Sequence, residues 1–189
     1  MHIKANETLD AKGLACPMPI VRAKKAIAKL QPGQVIEILA TDKGSTADMK
    51  AWASNTGHQY LGTVADGDVL KHYLRKASEA EAVNESKHKN NIDLSTLQNN
   101  LANESISIID VREPAEFAFS HIPGAINIPL GELDERMKEI DNTRELYIIC
   151  RTGNRSDLAA QELTKKGFTG VKNVVPGMAK WNGPMETEN

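Results

Sequence analysis

The sequence predicts an α/β chain of two domains: an N-terminal two-layer α/β sandwich of order β-α-β-α-β-β, and a C-terminal parallel α/β sheet with helices on both faces. Three observations predict it. Short apolar runs alternate with helix-period stripes along both halves. Residues 78–91, SEAEAVNESKHKNN, break that alternation and hold a single large apolar residue, Val83, too little to order themselves. Each half carries one cysteine, Cys16 or Cys150, at a place where a helix begins. The expected boundaries are a domain over residues 1–77, a linker over 78–91 and a domain over 92–189.

In the first half, residues 8–10 read as a short strand that Gly13 ends. From Pro17 onward Ile20, Ala23, Ile27 and Leu30 recur at i, i+3, i+7 and i+10, which is one helical stripe. Pro17 and Pro19 fit only a first helical turn, where a backbone N–H has no helical partner to lose. That puts Cys16 at or near the N-cap. Gln31-Pro32-Gly33 stops the helix, and residues 35–41 form a strand. Ser45, with Asp48 three residues on, suggests a capping box for a second helix that buries Met49, Trp52 and Ala53 and stops at Gly57. QYLGTV and DVLKHYLRK, joined at Ala65-Asp66-Gly67, read as a hairpin.

In the second half, Asp93 is placed to cap a short helix bearing Leu94, Leu97 and Leu101. Residues 106–111, ISIIDV, and ELYIIC are near-continuous apolar runs, as strands buried on both faces require. Leu130, Leu133, Met137 and Ile140 predict one continuous helix across LGELDERMKEI. RSDLAAQELTKKGF predicts a helix stopped by Gly167, and VKNVV a last strand. Ligands of parallel sheets bind beyond the carboxyl ends of the strands, and Cys150 stands at such an end.

Composition removes several classes of function. The 189 residues are 40% apolar and 25% charged, so the chain is globular, and 4% aromatic content makes its core aliphatic. A net charge of -2 argues against direct nucleic-acid binding. No stretch approaches the roughly 18 apolar residues of a membrane helix. The start, MHIKANETLD, lacks the apolar core of a secretory signal, so a cytoplasmic location is expected. Two cysteines in a reducing compartment predict no structural disulfide, and no metal or cofactor site is expected. Residues 1–77 carry 11 Lys/Arg against 7 Asp/Glu, and residues 78–189 carry 12 against 18, so the halves have opposite sign. Either the halves attract each other, or the difference is ordinary surface variation.

The residues after Cys150 address its sulfur. Arg151–Arg155 is expected to curl around it, with backbone N–H groups and the next helix N-terminus turned inward and Gly153 permitting the tight backbone. Such a cup suits an anion on sulfur. Arg155 either adds positive potential or braces the loop against a carboxylate. At Cys16 the helix N-terminus is expected to favour thiolate, while the alternative is a small buried hydrophobe. His121 reads first as a turn residue bonded to backbone, and Asp110 and Arg112 as loop braces. His58 and His72 lack partners at metal spacing, and Trp52 and Trp181 read as core. The basic set Arg22, Lys24, Lys25 and Lys29 is a solvated face, or less commonly a dock for an acidic partner.

The motif CPMP within LDAKGLACPMPIVRAKKAI resembles the small sulfur-carrier family that includes TusA and SirA-like proteins, over residues 5–76. That resemblance implies a two-layer sandwich and makes Cys16 the cysteine that carries a persulfide to a partner. CRTGNRS after a buried strand, with IIDVREPAEFAFSHIPGAINIP and PGMAKWNGP, resembles the rhodaneses over residues 92–185. It implies that Cys150 takes a sulfane sulfur and holds it as persulfide, cradled by Arg151, Thr152, Gly153, Asn154 and Arg155. Pro176 stands where that family usually has glycine, before Gly177, and is expected outside the cup. Related phosphatases have a loop one residue longer, so four residues between Cys150 and Arg155 suit a single sulfur atom better than a phosphate.

The resulting expectation is a sulfurtransferase that relays sulfur from Cys150, via Cys16, to a thiol or protein acceptor. Its donor would be thiosulfate or a low-molecular-weight persulfide. A tether of 14 residues spans about 20 Å and gives an effective concentration of order mM. The relay could also run the other way, or each thiol could serve separate partners; the alternative function is a non-turnover carrier or binding module loaded by a separate desulfurase.

Overall fold

The computed structural model describes residues 3–77 and 87–188 of a chain that divides into two compact units, Met1–Ser78 and Glu79–Asn189. The first has the expected order: β1 (Glu7–Asp10), α1 (Met18–Lys29), β2 (Val35–Ala40), α2 (Ser45–Thr56), β3 (Gln59–Asp66) and β4 (Val69–Arg75). Its sheet runs β1-β2-β4-β3, with β1 parallel to β2 and the other pairs antiparallel. Alternation in β2 turns Ile36 and Ile38 toward the helices, where they meet Ala23 and Ile27 of α1 and Met49 and Ala53 of α2. Trp52 packs on that core from its edge.

The capping box expected at Ser45 does not form. Gly44 is the N-cap of α2 and no side chain caps it. Ser45 is buried, and its hydroxyl donates to the Asp42 carbonyl at 2.5 Å and lies 2.8 Å from His72 Nε2. A buried imidazole outcompetes the helix end for that hydroxyl, because its own unmet hydrogen bond would cost more than an exposed helix terminus left to water.

The second unit has β5 (Asn91–Ile92), α3 (Leu94–Asn99), β6 (Ile106–Asp110), α4 (Pro114–Phe119), β7 (Ile126–Asn127), α5 (Leu133–Arg136), β8 (Glu145–Ile149), α6 (Asn154–Lys165) and β9 (Val171–Val174). The sheet is parallel throughout, in the order β5-β9-β8-β6-β7. It buries both faces. Ile109, Leu146, Ile148 and Val171 pack against Ala159, Ala160 and Leu163 of α6 on one side. Ile108, Tyr147, Ile149 and Val174 pack against Leu97 of α3, Ile122 and Trp181 on the other. Asp93 caps α3 as expected, its carboxylate accepting the Thr96 N–H at 2.8 Å.

Two expectations are corrected here. The helix over residues 130–140 is not continuous: α5 is flanked by 3-10 turns at Leu130–Glu132 and Met137–Glu139. Leu130, Leu133, Met137 and Ile140 still reach the core, because tight turns meet the same spacing. Residues 78–86 of the expected linker lie outside the described residues. Residues 87–91 belong to the second unit instead of the linker. The buried Asp157 carboxylate of α6 accepts the Lys87 and His88 N–H groups at 3.1 and 2.8 Å. His88 Nε2 lies 2.9 Å from the Val171 carbonyl, and Asn91 begins β5. Backbone groups make most of these contacts, so a polar composition did not disclose them.

Candidate functional site

Cys150 follows the last residue of β8 and is 1% exposed. One side of it touches the apolar cluster of Ile109, Val111 and Ile148. The other side is polar. Gly153 donates its N–H to Cys150 Sγ at 3.2 Å, and Ser156 Oγ lies 3.3 Å from the same sulfur. Ser156 Oγ is also 3.1 Å from the Gly153 carbonyl. Its single proton can serve either acceptor, so it can turn to sulfur as negative charge grows there. Ser156 was not singled out in the sequence. Its signal is its place in the first turn of α6, where a small hydroxyl faces back toward the loop.

Gly153 takes φ +97 at the N-cap of α6. A Cβ there would lie 3.0 Å from Val175 Cγ1, so only glycine keeps both the turn and the packing. The segment after β9 closes the other side of the loop. Met178 and Ala179 donate N–H groups to the Cys150 and Arg151 carbonyls, each at 2.8 Å. Pro176 is exposed, as expected of a residue outside the cup, but Gly177 beside it lies directly against the loop backbone. Asn173, fully buried, donates to the Gly153 carbonyl at 3.3 Å.

The two arginines of the loop have different surroundings. Arg155 is buried and donates from Nη1 and Nη2 to Glu116 at 2.7 and 3.0 Å, a two-pronged clamp between α6 and α4. Of the two roles open to Arg155, this geometry matches the brace. Arg151, Thr152 and Asn154 are partly exposed, and Arg151 has no carboxylate partner among the described residues. Asp110 and Arg112 form a second buried clamp at the end of β6, with Arg112 Nη2 also donating to the Ser120 carbonyl at 2.7 Å. Val111 then donates to the Ile149 carbonyl, next to Cys150. His121 is used locally: its ring stacks on Phe117 and Nδ1 lies 2.9 Å from the Phe117 carbonyl.

Cys16 is exposed and sits one residue before Pro17, the N-cap of α1. Its surroundings run against the expected thiolate. The Asp48 carboxylate pushes the Cys16 thiol above its ordinary range, and loss of water and the charge of Asp42 push the same way. A nearby carboxylate outweighs a helix end that the thiol does not cap. Arg22, Lys24, Lys25 and Lys29 are all exposed along α1. Among the described residues no three His, Cys, Asp or Glu side chains converge as for a metal ion, and no helix is long and apolar enough to cross a membrane.

A family model for the sulfurtransferase TusA matches residues 7–76, and one for the rhodanese-like domain matches residues 93–184. The "Putative sulfur carrier protein YrkF" of Bacillus subtilis is 51% identical over 185 residues, which is 97% of this chain and all of that protein. The chain belongs to the TusA–rhodanese family of sulfur carriers and sulfurtransferases. Another relative, the "Putative sulfurtransferase YtwF" of the same organism, is 40% identical over 88 residues, covering 47% of this chain and 84% of that protein. The crystal structure of a rhodanese-like domain protein from Staphylococcus aureus is 28% identical, with a TM-score of 0.50, and covers 53% of this chain and 99% of that one. The two units are thus a TusA domain and a rhodanese domain, with one free cysteine in each.

Proposed function

We propose that the rhodanese domain accepts a sulfane sulfur on Cys150 and that the chain relays it, via Cys16, to a thiol or protein acceptor in the cytoplasm. The observation that carries this reading is the pair of donors, Gly153 N–H and Ser156 O–H, that converge on Cys150 Sγ at the carboxyl end of β8. Such donors strengthen as the sulfur becomes anionic, whether thiolate or persulfide. With thiosulfate as donor, the Cys150 thiolate attacks the outer sulfur, the S–S bond breaks, and sulfite leaves. The product is a Cys150 persulfide, and no general base is needed at that step. A Cys16 thiolate then attacks the terminal sulfur of the persulfide; Cys150 leaves as thiolate and Cys16 holds the sulfur. Arg151, Thr152, Gly153, Asn154 and Arg155 form the loop, in which Gly153 presents its backbone donor and Arg155 fixes the loop to Glu116.

One observation favours the non-turnover carrier instead: Cys150 is nearly closed to solvent, whereas Cys16 is open. Steady-state kinetics separate the two. With thiosulfate and an excess of a small thiol, the enzyme reading predicts many equivalents of sulfite per chain, and none above background for Cys150→Ser. Release that stops at one equivalent would favour the carrier.

A further inference from the structure

The Gly153 carbonyl faces more donors than it can take. Within reach are the Asp157 N–H at 3.0 Å, Asn173 Nδ2 at 3.3 Å and Ser156 Oγ at 3.1 Å. A carbonyl oxygen has two lone pairs. The Asp157 N–H makes the first backbone bond of α6, so the helix itself aims it. Asn173 is held as firmly. Its backbone pairs with Asn91 of β5 on one side and Ile148 of β8 on the other. Its side chain shares with Val171 the face of β9 that packs against α6. Ser156 is the rotor of the three, and its other acceptor, Cys150 Sγ, lies 3.3 Å away.

Asn173 is costly where it stands. It is fully buried, and among the described residues its Oδ1 has no hydrogen-bond partner. A leucine would fill a like volume with no unmet oxygen. What the amide adds at that position is the Nδ2 bond to Gly153.

We propose that Asn173 is a positioning residue for the sulfur site: by filling the second lone pair of the Gly153 carbonyl, it commits the Ser156 proton to Cys150 Sγ. The proposal deepens the reading of Cys150 as the sulfur-accepting thiol and rests on it. When the Cys150 proton leaves to solvent, the charge left on sulfur meets two donors already aimed at it, the Gly153 N–H and the Ser156 O–H. Without the Asn173 amide, Ser156 returns to the carbonyl and the sulfur keeps one donor. The charged side chains around the loop are engaged in other bonds: Arg155 with Glu116, Arg112 with Asp110, and Asp157 with the Lys87 and His88 N–H groups. Arg151 is common to every variant below.

The test is a double-mutant cycle on the full chain carrying Cys16→Ser, which leaves Cys150 as its one thiol. The ultraviolet absorbance of the thiolate is followed against pH, with Cys16→Ser/Cys150→Ser as the blank. Asn173→Leu should move the Cys150 transition to higher pH by about one unit, the worth of one hydrogen bond to a charged group. Asn173→Ala, which removes the amide without adding bulk, should do the same and serves if the leucine does not fit. Ser156→Ala should move the transition at least as far. Adding either Asn173 variant to Ser156→Ala should move it no further, because the proton that Asn173 directs is gone. An unshifted transition in both Asn173 variants would overturn the proposal. So would equal shifts with and without Ser156, which would mean that Asn173 supports the loop as a whole. Sulfane uptake from thiosulfate is read on the same chains. In the Asn173 variants it should fall about tenfold at a pH below the transition and recover above it, as the thiolate fraction does. Coupled shifts in a chain that takes up no sulfur defeat the sulfur-accepting reading; uptake with uncoupled shifts defeats this proposal alone.

Discussion

Arg155→Met is expected to destabilise the rhodanese domain by about 3–5 kcal/mol, because it leaves a fully buried carboxylate without the guanidinium that matches it. That is a large part of the roughly 5–15 kcal/mol that holds a domain together. The loss has a second consequence. Arg155 is the second residue of α6, so its clamp on Glu116 sets where the N-terminus of α6 points. Release of that end shifts Gly153 N–H and Ser156 Oγ relative to Cys150 Sγ. A misplacement near 1 Å lowers the rate of a positioned reaction by about a hundredfold. Urea denaturation followed by hydrogen exchange in α6 measures the first effect, and the rate of sulfane uptake measures the second. The double variant Arg155→Met/Glu116→Leu removes both charges and should recover much of the stability but little of the uptake. A single variant that costs less than about 1 kcal/mol would show that the clamp is solvent-screened and does not brace the loop.

Gly177→Ala is the second large effect. Gly177 takes φ +89 and ψ −169, a region essentially reserved for glycine, which alone costs of order 1–3 kcal/mol for another residue. The new Cβ would also stand 2.5 Å from the Cys150 carbonyl and 2.8 Å from that of Arg151. Both obstacles are backbone, so neither can rotate away. Either the closing segment or the sulfur loop must move, and the Met178 N–H bond to the Cys150 carbonyl goes with it. We expect a drop of about a hundredfold in sulfane uptake on top of the lost stability. Gly167→Ala is the matched control. Its φ of +94 imposes a similar backbone penalty, but no atom lies within 4 Å of its Cβ, so it should lower stability without slowing uptake. Equal uptake losses in the two variants would mean that the effect is global unfolding and not displacement of the loop.

These residues also mark where sequence reasoning succeeds and where it stops. The placement of Cys150 after a buried strand was legible, because ELYII is apolar without interruption and a polar, glycine-bearing segment follows it. Gly153 was legible for the same reason, as was Asp93 as a cap, since each depends on neighbours within a few positions. The partner of Arg155 was not, because Glu116 lies 39 positions away and looks like one more acid in an amphipathic segment. Gly177 was quoted in a motif, yet its approach to the Cys150 carbonyl depends on how β9 and β8 pair. The pattern at Asp48 misled. Spacing from Ser45 suggested a cap, but the Ser45 hydroxyl bonds to the Asp42 carbonyl and to the buried His72, 27 positions away. Spacing likewise could not tell one helix from three short turns at residues 130–140, since all of them deliver the same side chains to the core.

The central claim is that sulfur enters at Cys150, held by Gly153 and Ser156, and reaches Cys16 from there. Mass spectrometry of the full chain after incubation with thiosulfate or glutathione persulfide tests it most directly, with the two domains separated by proteolysis and weighed. A relay from Cys150 should give a gain of one sulfur atom on the rhodanese fragment of the wild type and of Cys16→Ser, appearing before any gain on the TusA fragment, and no gain on either fragment of Cys150→Ser. A TusA fragment that loads equally well in Cys150→Ser would contradict the relay, and a rhodanese fragment that never gains sulfur in the wild type would contradict the claim itself.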